Sequence, residues 1–117
     1  MGRKRDRLEQ SGRWPAAVAL SEPSASADPV EALIARARKL RDKGDARKAL
    51  LLLRQACMMD EWCARSWTLL GVVLARAGRV DEGLKALRHA RWLRSRAGDQ
   101  ARTVSTARLI ERLTLAA

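Results

Sequence analysis

The stretch SWTLLGVVLARAGRVDEGLKALRHA, Ser66 to Ala90, sets a tryptophan, a leucine–glycine pair and two further glycines into an otherwise helical run. Trp67, Leu70, Gly71 and Leu74 recur at the spacing of one helical face, and so do Leu84, Leu87 and Ala90. Gly78 separates the two runs, and a glycine there permits the positive φ of a tight turn between helices. Trp67 and Leu70 suit the space between paired helices, while small residues at 71, 83 and 90 let the helices cross closely. These are packing roles, and the stretch reads as a helical hairpin.

The same signals recur on either side. Asp28-Pro29 offers an N-cap followed by proline at the first helical position, and Leu33, Ala37 and Leu40 then mark one face of a first helix. Lys43-Gly44-Asp45 ends that helix and caps a second, running from about Ala46 to Met58 with Ala49, Leu52, Leu53 and Ala56 inward. Met59 to Trp62 reads as a short turn with Asp60 as the cap of the third helix. A fourth helix spans Val80 to about Arg96, Gly98-Asp99 repeats the stop-and-cap signal, and a fifth mixes Val104, Leu109, Ile110, Leu113 and Leu115 with Arg102, Arg108 and Arg112. Residues 1–28 lack apolar periodicity and divide into a basic head and a Ser/Ala/Pro-rich linker. They are expected to form a flexible arm, with Trp14 as its candidate docking residue.

Matching Gly44 to Gly78 superposes the two helical pairs at an offset of 34 residues. Leu33 then falls on Trp67, Ala37 on Gly71, Leu40 on Leu74, Ala49 on Gly83, Leu53 on Leu87 and Ala56 on Ala90. With Trp67, Leu70, Gly71, Leu74, Gly78, Gly83, Leu87 and Ala90 at these spacings, the second unit resembles the tetratricopeptide repeat family. The first unit departs from the pattern at Leu33 and at Arg36-Ala37, and Glu61 and Ser95 stand where each unit would end in proline. The resemblance implies an all-α fold, a right-handed α-solenoid of five helices, with repeats at about 30–63 and 64–97 and a capping helix at about 99–116. The whole domain would run from 29 to 117. Two repeats fall short of the roughly three that usually stabilise such an array, so self-association, docking of the arm or membership of a complex is expected to supplement it.

Composition agrees with packed helices: 47% of the residues are hydrophobic, and the four tryptophans are the only aromatic residues beyond one histidine. The chain carries 24 Lys and Arg against 13 Asp and Glu, a formal charge of +11. From Pro29 onward nineteen basic and nine acidic residues leave +10, so the charge belongs to the domain. A field of that sign favours acidic proteins, nucleic acid or anionic surfaces. No apolar run reaches the roughly 18 residues of a spanning helix, and the first 28 residues make a poor signal peptide because Pro15 interrupts a short apolar run. Asp6 stands where a myristoylation signal wants Ser or Thr. Cys57 and Cys63 give neither a disulfide framework nor a metal signature, and read as packing residues in a reducing compartment. The expected location is the cytoplasm, and the Ala, Arg and Leu bias points to a GC-rich, bacterial genome.

Catalysis is not expected: there is a single histidine, His89, with no phosphate-binding glycine loop and no paired carboxylates in an apolar context. No cofactor or metal is implied. The resemblance instead implies a protein-binding groove lined by the first helix of each pair. Carried over by position, that groove holds Glu31, Ile34, Arg38 and Arg41, then Arg65, Thr68, Val72 and Ala75, with Arg102, Thr106 and Leu109 from the last helix. Arginine grips carboxylates bidentately, so these side chains suit an acidic partner segment with apolar anchors. The expected function is thus an adaptor or scaffold within a larger assembly. The alternative is a basic nucleic-acid-associated protein using Lys85, Arg88, His89, Arg91, Trp92, Arg94 and Arg96 of the fourth helix, together with the arm. Against that alternative, Trp92 also reads as a wedge between the fourth and fifth helices.

Overall fold

A computed structural model of the chain describes residues 28–116. The expectations for the arm and linker, Trp14 among them, lie outside those residues. The described residues fall in two units that divide between positions 32 and 33. The described part of the first is Asp28 and the opening turn of helix α1, where Asp28 Oδ1 accepts from the amides of Val30 and Glu31 at 3.0 and 3.2 Å. Asp28 is therefore the N-cap that the Asp-Pro pair announced.

All regular elements among the described residues are helices: α1 (Pro29–Asp42), α2 (Ala46–Met59), α3 (Ala64–Arg76), α4 (Val80–Arg96) and α5 (Gln100–Ala116). The all-α fold and the five expected helices are observed. In the second unit α2 packs on α3, α3 on α4 and α4 on α5.

One turn is used three times. Gly44, Gly78 and Gly98 have φ of +88°, +88° and +76°, in the left-handed region that side chains avoid. At each, the glycine amide donates to the carbonyl three residues back, and the following amide donates to the carbonyl five back: Asp45 to Leu40, Arg79 to Leu74 and Asp99 to Arg94. These bonds satisfy the carbonyls a helix end leaves open. Asp45 and Asp99 then accept from the amides of Lys48 and Arg102, each at 3.1 Å, and so start α2 and α5. The α2–α3 junction differs from expectation. Cys63, not Asp60, is the N-cap of α3 and makes no side-chain capping bond. Asp60 Oδ1 is held instead by the amide of Trp62, which tightens the turn.

The crossing of α3 and α4 is set by two glycines. A Cβ on Gly71 would lie 2.6 Å from Leu87 Cγ and 2.8 Å from Gly83 O, and one on Gly83 would lie 2.7 Å from Gly71 O. Backbone therefore touches backbone here. Leu84 and Leu87 of α4 form a buried cluster with Ile110 of α5, flanked by half-buried Val72, Val80, Leu109 and Leu113. Ile34 and Ala37 of α1, and Ala49, Leu53 and Ala56 of α2, are buried as well.

Candidate interaction surfaces

Two surfaces carry part of the set of residues singled out in the sequence. The first lies between α3 and α5, where Val72, Ala75, Arg76, Leu109, Arg112 and Leu113 line a groove of about 340 Å³. Its floor is the half-buried edge of the Leu84–Leu87–Ile110 cluster, so the apolar side chains are fixed from behind while their outer faces stay open. Arg76 and Arg112 are exposed at its margin. Val72, Ala75 and Leu109 were expected in a groove; Arg76, Arg112 and Leu113 were not, although each stands one helical turn beyond Val72 or Leu109.

The remaining expected groove residues do not all face outward. Ile34 is 1% exposed and belongs to the core. Thr106 is buried, and its hydroxyl accepts from Arg94 Nη1 and donates to Arg102 O, both at 2.7 Å. Thr68 donates its hydroxyl to Ala64 O at 2.8 Å. Arg41 grips Asp42 with Nε and Nη2 at 3.1 and 3.0 Å, and Arg102 Nη1 holds Asp99 Oδ2 at 3.0 Å, so both arginines already pair with carboxylates of their own chain. Arg38 and Arg65 are exposed.

The second surface is the outer side of α2, α3 and α4. Trp67, Leu70 and Leu74 form a stripe on α3 at the bottom of an open groove. Arg54, Cys57 and Met58 of α2 wall it on one side, and Lys85, Ala86 and His89 of α4 on the other. Arg54 reaches across to Glu82 at 3.8 Å, a half-exposed pair of small energetic weight. Trp67 donates its indole N–H to Glu61 O at 3.0 Å and turns an edge to His89, with ring centres 4.6 Å apart. His89 stacks on Trp92 at 5.8 Å, and Trp62 lies 6.0 Å from Trp92 on the α2–α3 turn. Trp62 is 67% exposed and Trp92 47%. Trp92 is thus no wedge between α4 and α5, whereas Leu93, one residue on, is buried. Arg94 leaves the basic set for a similar reason, because it points to Thr106 on α5. Burial first, and then Arg102, lowers the Arg94 pKa from its ordinary value. Lys85, Arg88, Arg91 and Arg96 stay exposed.

Sequence reasoning passed over Trp62 and Met58, the latter 82% exposed, because both flank a junction that read as a connecting turn. The signal was available: a solvated turn has no need of two large apolar side chains.

The perturbed titratable groups have structural causes. Burial, then the neighbouring Cys63, pushes the Cys57 thiol up to about 12, which keeps it protonated and unreactive at neutral pH. Both cysteines are free. Among the described residues no group of three or more His, Cys, Asp or Glu is gathered to hold a metal, and no helix is long and apolar enough to cross a membrane. Compared with known proteins, the chain matches no family model and no curated protein.

Proposed function

We propose that this protein is a non-catalytic adaptor, a short tetratricopeptide-like array that holds an acidic segment of another protein bearing apolar anchors. The observation that carries this reading is the α3–α5 groove, with Val72, Ala75, Leu109 and Leu113 as an apolar floor between Arg76 and Arg112. Apolar anchors gain from a preformed floor, and guanidinium groups at the rim supply charge-assisted bonds to Asp or Glu. The reading includes a cytoplasmic location, where Cys57 and Cys63 remain thiols, and a place in a larger assembly.

The test is capture of partners by the tagged, full-length chain from nuclease-treated native lysate, repeated with Arg76→Glu plus Arg112→Glu. Both arginines are exposed, so the variant should fold. The bound protein's acidic segment, made as a peptide, should then lose about tenfold or more in affinity, the scale of one or two charge-assisted hydrogen bonds. Unchanged affinity in a folded variant would show that this groove is not the binding site.

A further inference from the structure

The outer side of α4 carries a feature that the α3–α5 groove does not use. Lys85, Arg88, Trp92 and Arg96 are spaced by three, four and four residues and are all exposed, so they lie along one line on the helix. The line is roughly 16 Å long at 1.5 Å per residue. Trp92 sits within a layered set of rings: His89 lies 5.8 Å away with planes 18° apart, and Trp62 lies 6.0 Å away with planes 32° apart. The Arg96 guanidinium stands 5.0 Å from the Trp92 ring centre. The outermost ring, Trp62, remains two-thirds exposed.

Charge identifies what fits this surface. From Lys85 to Arg96 helix α4 contains no acid, and Lys85, Arg88 and Arg91 have no carboxylate partner among the described residues. Of the nearby acids, Glu82 is held by Arg54 and Arg79 and Asp60 accepts from the Trp62 amide, while Glu61 stands exposed beside Trp62. Unneutralised cations beside a stacked His89–Trp92 pair and the exposed, tilted ring of Trp62 call for a ligand with both phosphates and flat rings. A duplex offers phosphates but hides its ring faces, and an acidic peptide offers carboxylates without a matching row of rings. We propose that this face binds single-stranded nucleic acid, with a base stacking on Trp62 and phosphates tracking Lys85, Arg88 and Arg96. This inference stands apart from the groove reading.

The experiment is fluorescence anisotropy of the full chain with labelled twelve-nucleotide oligouridylate and oligothymidylate, against a hairpin duplex of equal charge. Binding of either single strand in preference to the duplex is expected. The logarithm of affinity should fall with that of salt at a slope of about −2, from roughly three phosphates at about −0.7 each. Trp62→Ala, on an exposed ring, should weaken binding about tenfold or more. Arg88→Glu with Arg96→Glu should flatten the slope by about 1.4. The matched pair Arg36→Glu with Arg108→Glu, exposed on α1 and α5, should leave the Trp62 dependence in place. The proposal is overturned if the duplex binds as well as the single strands, if Trp62→Ala changes nothing, or if both charge pairs lower affinity equally. A polyglutamate peptide competing at this face in a Trp62-dependent way would also overturn it and reassign the surface to protein.

Discussion

Gly71 and Gly83 decide how near α3 and α4 come, and their cost on substitution separates close packing from helix propensity. Alanine is the better helix former by about 1 kcal/mol, so an unconstrained helix would gain from either change. Here the added methyl meets backbone oxygen at 2.8 Å in one case and 2.7 Å in the other, and neither atom can retreat without parting the helices. We predict that Gly71→Ala and Gly83→Ala each lower stability by about 1–3 kcal/mol, read as a fall in Tm on thermal unfolding. A rise in Tm would mean that the helices are free to separate. A different local conflict occurs at Ser66, which is fully buried with its hydroxyl unpartnered among the described residues. The structure gives no reason for keeping a polar atom there.

At the scale of the element, the glycine turn and the cap that follows it act as one device, most complete at Gly98-Asp99. The Asp99 carboxylate accepts from the backbone N–H and the guanidinium of Arg102, in that order of weight, and this holds its pKa below the ordinary carboxylate value. A depressed carboxylate stabilises the fold above its unfolded pKa, and that contribution is lost as pH falls through the folded value. The first turn of α5 should therefore fray on acidification, and Asp99→Ala should cause the same fraying at neutral pH, read as faster amide exchange at Arg102 and Thr103. Exchange there that is indifferent to both changes would remove Asp99 as the cap. Such devices were legible in the sequence because glycine and aspartate are the residue types that left-handed turns and N-caps require. The start of α3 was not legible, since Cys63 caps through backbone alone and leaves no side-chain signature. The basic face was only half legible. Residues 85, 88, 91 and 94 step by three, and each step falls about 60° short of a full helical turn. The set therefore winds around α4 until Arg94 reaches Thr106 on the packed side. Trp62 was missed because it stands outside any helical period, so no pattern of spacing could assign it a face.

For the molecule as a whole, the question is what stabilises a unit of so few helices. The buried cluster of Leu84, Leu87 and Ile110, with Val72, Val80, Leu109 and Leu113 around it, is shared by α3, α4 and α5. Helix α5 supplies three of those seven side chains, and Thr106 supplies the hydroxyl that receives Arg94. Removing α5 would uncover Leu84 and Leu87 and leave the Arg94 guanidinium without that partner. Burial of a leucine side chain is worth about 1.5–3 kcal/mol, so uncovering two of them approaches the whole margin of a small domain. We predict that a chain ending at Gly98 loses its cooperative thermal transition in circular dichroism, or keeps helicity only by self-associating through the uncovered leucines, which size-exclusion chromatography with light scattering would detect. A truncated chain that stays monomeric with an unchanged Tm would make α5 an appendage rather than a cap. The same truncation removes Leu109, Arg112 and Leu113 from the α3–α5 groove but leaves Trp62, Arg88, Trp92 and Arg96 in the chain. If the truncated chain keeps its helices, its two proposed activities should part, with peptide binding lost and oligonucleotide binding retained.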